Sequence, residues 1–170
     1  MLIRLLTLVV FAGLTSSHLL AQKIAIVDVT ALLEDMAEYK AAQAEIDKVA
    51  ALWRQEISKE QDVIKSMYNK YQAEQVLLSD EAKRKREDEI IEKEAQVREL
   101  QRQKFGPDGE LFSRRQQLIA PIQQKVFAAM EAVAEERGYD IIFDKSGSAG
   151  LLFVNPDFEK TDEVKKKLGK

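Results

Sequence analysis

One helical stretch constrains this chain more than any other feature. From Thr30 to about Arg137 the patterning predicts helix for roughly a hundred residues, with no Pro or Gly before Gly106. An ordinary globular helix has about 8–20 residues. The stretch must therefore fold back on itself and project from a smaller body. Such a hairpin offers a long exposed surface, which suits holding or bridging another macromolecule better than catalysis.

The first 21 residues have the layout of a secretory signal peptide. Arg4 supplies a positive start, residues 5–14 are mostly apolar, and a polar segment leads to the small residue Ala21. The apolar run is too short for an ordinary membrane span, so a retained N-terminal anchor is the weaker alternative. Without Cys, the chain cannot be a lipoprotein anchored on cysteine. We expect a soluble periplasmic protein after cleavage near Ala21.

Composition argues against most enzyme classes. Cleavage removes Arg4, which takes the formal charge from −3 to −4, and it removes His18, the sole histidine. Without Cys or His, the mature chain has no disulfide, thiolate nucleophile, imidazole base or usual zinc site. No Gly-rich phosphate loop appears either. We therefore predict no enzyme, no cofactor and no bound nucleotide, and negative charge with export disfavours a nucleic-acid partner.

The predicted fold class is α+β, with a small body built from both chain ends. Strands are expected at Lys23–Asp28, Tyr139–Asp144 and Leu151–Val154, and a last short helix near Thr161. Three short strands make a poor core alone, so the body should form a homo-oligomer, with the sheet edge as the place to join. The predicted body and oligomer residues are Ile24, Ile26, Ile141, Phe143, Leu151 and Phe153.

A heptad pattern on the outgoing helix indicates a coiled-coil seam. Its two sets of core positions are Ile46, Trp53, Glu60, Met67, Glu74 and Ala50, Ile57, Ile64, Tyr71, Leu78. Two Glu make this seam loose or partly wet. Its apolar residues either pack against the returning helix or contact a bound partner, and both can hold along one helix. The candidate binding residues are Trp53, Ile57, Ile64, Met67, Tyr68, Tyr71 and Leu78.

Helix signals divide the long stretch into an outgoing and a returning arm. Thr30 is expected to cap an unbroken first helix, and Ser79 to cap a second whose first turn carries Asp80 and Glu81. Arms of equal length require a tip at residues 77–80. Residues 106–109, with Gly106, Pro107 and Gly109, then form a kink or hinge in the returning arm.

The last part of the returning arm has a stronger apolar stripe, which enters the body. Pro121 is expected to interrupt and bend this helix, and Gly138 to end it. The predicted units are a signal peptide at 1–21, a body at 22–40 and 116–170, and a hairpin at 41–115.

This layout resembles the OmpH/Skp family of periplasmic chaperones over essentially the whole mature chain. The resemblance is carried by residues 23–28 after a signal peptide, the charged hairpin, and residues 138–144 after the returning helix. It implies a jellyfish-like homotrimer whose helical arms enclose a cavity. It also implies ATP-independent holding of unfolded outer-membrane β-barrel proteins.

One departure and one alternative accompany the resemblance. Better-known members are strongly basic, whereas this chain is mildly acidic, and its basic cluster at residues 83–86 is followed by three acidic residues. A lipopolysaccharide or membrane-surface role is therefore not carried over. The alternative function is a structural coiled-coil spacer or adaptor in the envelope that binds one folded partner.

Overall fold

Two short strands and five helices make up the part of the protein that the computed structural model describes, residues 22–147 and 150–169. The predicted signal peptide lies outside these residues. In chain order the elements are β1 (Ile24–Val27), α1 (Val29–Asp35), α2 (Ala37–Glu74), α3 (Asp80–Phe105), α4 (Glu110–Arg137), β2 (Ile141–Asp144), a 3-10 turn at Pro156–Phe158, and α5 (Thr161–Lys167).

The sheet is a parallel pair, with Ile24 opposite Ile141 and Val27 opposite Asp144. The other edge of β1 is covered, because the Lys160 N–H donates to the Ile26 carbonyl at 2.8 Å. The other edge of β2 pairs with no strand among the described residues. The predicted strand at residues 151–154 does not form in the single chain: the described residues contain a two-stranded sheet, and this segment has no regular secondary structure. The prediction of three strands is therefore wrong for the single chain.

Helices α4 and α5 pack on this sheet, and α1 packs on both of these helices to complete the body. Its core has Val27, Leu32, Val126 and Val164 at its centre, each nearly inaccessible to solvent. Burying each such side chain contributes about 1.5–3 kcal/mol. The predicted apolar stripe of the returning helix supplies Ile119, Ile122, Val126, Met130 and Val133 to buried positions.

Two predictions at the start of the helical stretch are wrong. Asp28, not Thr30, caps α1, since its carboxylate accepts from the Ala31 N–H at 2.8 Å. The helix is also broken at Met36, whose backbone is extended and whose side chain is buried in the core. No Pro or Gly marks this break. It lets α1 lie on the body while α2 leaves it.

The arm geometry follows the predicted signals more closely. Helix α2 has 38 residues and is therefore about 57 Å long. The Ser79 hydroxyl caps α3 by accepting from the Ala82 N–H at 3.3 Å. Helix α4 ends at Gly138, which has a left-handed backbone, as predicted. It continues through Pro121, however, because this residue is exposed and water can satisfy the carbonyl that loses its hydrogen bond.

The carboxylate of Asp144 ties the end of β2 to the start of α1. It accepts hydrogen bonds from the Val29 N–H at 3.2 Å and from the Ser146 N–H at 2.9 Å. Partial burial opposes ionisation of Asp144, but the hydrogen bonds from Ser146 and Val29 outweigh it and hold its pKa below the ordinary value. The pKa of Glu159 is also lowered, because bonds from Lys145 and Thr161 outweigh the effect of its burial.

We expect the body to lose stability in acid. A depressed folded-state pKa stabilises the fold above the unfolded-state pKa, about 3.9 for Asp, and that contribution disappears as pH falls through the folded-state value. Asp144→Ala should lower the free energy of unfolding at pH 7 by about 1–2 kcal/mol and flatten its pH dependence below about pH 4. Urea unfolding at several pH values measures both. Asp157→Ala is the control, and equal pH dependence in all three proteins would contradict the assignment.

Candidate functional site

The candidate site is the arm, in which α2 runs antiparallel to α3 and then to α4. Cross-arm contacts follow this order: Glu60 pairs with Lys93 near the middle, and Glu45 pairs with Arg114 at 2.5 Å closer to the body. Residues 75–79 connect α2 to α3 at the tip. The hairpin is therefore one continuous two-helix surface that leaves the body.

All ten heptad positions face the seam of this hairpin. Ile46, Ala50 and Ile57 are buried, and the other seven are partly buried. Glu60 is compatible with the seam because the ammonium of Lys93 pairs with its carboxylate. The sequence left two possibilities open for these apolar residues, packing against the returning helix or contact with a bound partner. In the single chain they are buried or partly buried within the arm.

Trp53 forms the most specific contact in the seam. Its ring lies edge-to-face on Phe105, with centroids 6.2 Å apart and planes at 88°. The ammonium of Lys104 lies 4.9 Å from the centre of the indole. Trp53, on α2, is thus held in place by two residues at the end of α3.

The two tyrosines are likewise engaged within the arm. The Tyr68 hydroxyl donates to Glu94 at 2.9 Å, and the Tyr71 hydroxyl donates to Glu87. The bond to Glu94 raises the pKa of Tyr68, and the bond to Glu87 raises that of Tyr71, since each favours the protonated phenol. Of the seven candidate binding residues, only Tyr68 falls in the exposed class; Ile57 is buried, and Trp53, Ile64, Met67, Tyr71 and Leu78 are partly buried.

A different set of apolar side chains is exposed along the arm. Two adjacent residues at the tip, Val76 and Leu77, are 83% and 85% exposed. Others lie along the helices of the arm, at Leu52, Val63, Ile91 and Phe112. Sequence reasoning missed these residues as binding candidates. The signal that could have found those on α2 and at the tip is simple: they are apolar but fall outside the heptad, so the seam cannot bury them.

The rest of the arm surface is strongly charged and internally paired. On α3, Glu94 pairs with Arg98 and Glu99 with Arg102. The hydrogen bond from Arg102 lowers the pKa of Glu99. Both ends of the basic cluster at 83–86 are paired, Lys83 with Asp80 at 3.6 Å and Arg86 with Glu89 at 3.1 Å. Isolated apolar side chains therefore lie in a solvated, charged surface.

The predicted kink separates α3 from α4. A side chain on Gly106 would collide with the Arg102 carbonyl oxygen, and one on Gly109 would lie 2.8 Å from the Gln103 carbonyl oxygen. Close approach of the backbone therefore requires glycine at both positions. Lys104 reaches across the break to Glu110 at 2.6 Å. Helix α2 is continuous beside the break, so the break interrupts only the returning arm.

The predicted oligomer residues split between core and surface. Ile26 is buried and Ile24 partly buried, whereas Ile141, Phe143 and Leu151 are exposed. Phe153 is 82% exposed, and its neighbour Leu152, which was not among the predicted residues, is 100% exposed. The exposed predicted residues lie on β2, whose outer edge is unpaired in the described chain, and on the irregular segment at 151–154.

The carboxylates at the ends of the two strands bind the start of α1. Asp28 caps α1, and Asp144 accepts from the Val29 N–H. Within residues 22–147 and 150–169, His, Cys, Asp and Glu form no cluster suited to a metal ion. No helix in the same residues is long and apolar enough to cross a membrane.

Comparison with known proteins identifies the family. The family of outer membrane proteins described as OmpH-like matches residues 23–168. The chain belongs to this OmpH-like family. The resemblance to the OmpH/Skp family is therefore confirmed. The long hairpin on a small body is consistent with the OmpH-like fold.

A solved structure shares the OmpH-like fold. It is a crystal structure described as an outer membrane chaperone (OmpH-like) from Caulobacter crescentus CB15, with a TM-score of 0.67 and 14% sequence identity. The likeness covers 87% of this chain and 84% of that chain. At this identity it shows a common fold alone. No curated protein gives a significant match.

Proposed function

We propose that this OmpH-like protein is an ATP-independent periplasmic holdase. It binds unfolded outer-membrane β-barrel proteins between the helical arms of a homotrimer and prevents their aggregation. The observation that carries the proposal is the distribution of exposed apolar residues along a charged arm whose own seam leaves them unburied. The predicted signal peptide and the family support a periplasmic location.

Dispersed apolar residues suit transient holding. Each contact that removes apolar surface from water contributes about 25 cal/mol per Å², so a single exposed side chain binds weakly. Several such side chains on one arm, repeated on three arms, act as linked sites and raise the overall affinity without any single strong contact. The surrounding charged residues keep the loaded complex in solution.

Assembly is proposed to occur through the body, with residues 22–40 and 116–170 as the association unit and 41–115 as the arm. The unpaired edge of β2 and the exposed segment at 151–154 offer backbone groups and apolar side chains for pairing between copies. A trimer rather than another oligomer follows from the family resemblance.

The proposed hinge at Gly106, Pro107 and Gly109 concerns only the returning arm, because α2 is continuous there.

The proposal predicts suppressed aggregation of a β-barrel protein. When a urea-unfolded outer-membrane β-barrel protein is diluted into buffer, the sample should scatter much less light if the mature chain is present. Suppression should saturate near one oligomer per client, because one cavity holds one chain. The control is an equal mass of a folded, unrelated coiled-coil protein. Unchanged scattering at every ratio would contradict the holdase and favour a structural spacer that binds one folded partner.

A further inference from the structure

The break in the returning arm leaves a cleft that the seam does not fill. Residues 106–109 join α3 to α4 and, with the adjoining helix ends, border an open cleft of about 830 Å³ against α2. Val49 and Trp53 line it from α2, and Pro107 and Ser113 line it from the break and the first turns of α4. The heptad did not predict this space, because the pattern on α2 continues past it.

The lining combines apolar surface with uncharged hydrogen-bonding groups. Trp53, Val49 and Pro107 supply apolar contact, and Gln117 supplies a side-chain amide that can donate and accept. Gln103 also lines the cleft, but its side-chain N–H donates to Glu99 at 3.0 Å. Such a lining suits peptide groups flanked by apolar side chains.

The charged residues around the cleft are largely paired elsewhere. Arg102 binds Glu99 at 2.7 Å, Arg114 binds Glu45 at 2.5 Å, and Glu110 binds Lys104 at 2.6 Å. The lining also contains Asp108, so its two arginines are balanced by two carboxylates. A neutral cleft of mixed polarity favours an uncharged ligand over an anion or a cation.

Contacts within the arm hold the Trp53 side of the cleft in place. Trp53 is held by the ring of Phe105 and the ammonium of Lys104, and Lys104 in turn spans the break to Glu110. Gly109 is buried where a side chain would collide with backbone. A preformed site loses less entropy on binding than one that must first close.

We propose that this cleft is a client subsite that binds an uncharged, extended polypeptide segment through an aromatic side chain. This inference rests on the proposed holding function and places one contact within each arm rather than between arms. The volume lies in the range of about 300–1,000 Å³ that suits a small ligand. An aromatic side chain can pack on the Trp53 ring in an offset-stacked or edge-to-face arrangement, which favours it over an aliphatic side chain of similar size.

Trp53 reports directly on this site, because it is the sole tryptophan of the chain. The probe is a capped five-residue peptide of alternating threonine and phenylalanine, added to the mature protein while indole emission is recorded. A saturable shift of the emission is expected. The same peptide with aspartate in place of phenylalanine should bind at least tenfold more weakly. No shift with the phenylalanine peptide, or equal binding of both, overturns the subsite.

Two matched pairs of variants separate the cleft from the rest of the arm. Ser113→Phe fills the cleft and should weaken peptide binding at least tenfold, while Ser66→Phe adds the same ring to exposed α2 surface and should not. Gln117→Ala should weaken binding severalfold and its neighbour Gln116→Ala should not. Unchanged binding in both cleft variants overturns the proposal.

The peptide assay and the aggregation assay fail independently. Suppressed aggregation without a Trp53 response would remove the subsite and leave the holdase standing. A Trp53 response that Ser113→Phe abolishes, without any suppression of aggregation, would support the cleft as a peptide site and remove the holdase.

Discussion

Replacing Leu152 and Phe153 together by aspartate is expected to convert the oligomer into a monomer. In the single chain these side chains are 100% and 82% exposed, close in sequence to a sheet with an unpaired edge. Burying each on assembly would contribute about 1.5–3 kcal/mol per copy. A carboxylate at the same place would have to be desolvated without a partner, which costs several kcal/mol. Sedimentation velocity of the purified mature chain measures the change.

The tip supplies a matched control for this experiment. Val76 and Leu77 are also adjacent, apolar and more than four-fifths exposed, but they lie at the far end of the arm. Their double replacement by aspartate should leave the oligomer intact. If the variant at 152 and 153 sediments like the parent, assembly does not use this segment, and the proposed role of the sheet edge is wrong.

Replacing Leu52, Val63 and Ile91 by glutamine is expected to weaken holding about tenfold, measured as the protein concentration needed to halve client aggregation. These exposed residues lie on α2 and α3 outside the seam. Removing three modest contacts of about 0.5 kcal/mol each accounts for a factor of about ten. Because the parent side chains are exposed, the free energy of unfolding should change by less than about 0.5 kcal/mol per site.

Exposed polar residues provide the control for this triple variant. Gln55, Ser66 and Gln72 are exposed on α2, and their joint replacement by alanine should leave client holding unchanged. The seam responds differently: Ile57→Ala should lower the unfolding temperature, because Ile57 is buried. Full holding activity in the variant at 52, 63 and 91 would show that the exposed apolar residues do not bind the client.

The heptad shows how far sequence reasoning reached toward the site. The ten positions from Ile46 to Leu78 face the seam because a repeat of about 3.5 residues keeps one face toward the neighbouring helix. The same repeat was less informative about binding, because an apolar residue in the heptad can either pack against the returning helix or contact a client. Only the position of the second helix shows that Trp53 contacts Phe105 and that Tyr71 donates to Glu87 within the arm.

Local chemistry in the sequence by itself determined the helices, most of their ends and the reversal of the chain. Ser79 and Gly138 act through their own side chain or backbone, so they can be recognised without knowing what lies nearby. Tertiary structure alone decided the break at Met36, the unpaired segment at 151–154 and the cleft beside Trp53. Each depends on contacts between residues distant in sequence, whose packing energy outweighs local helix and strand preferences.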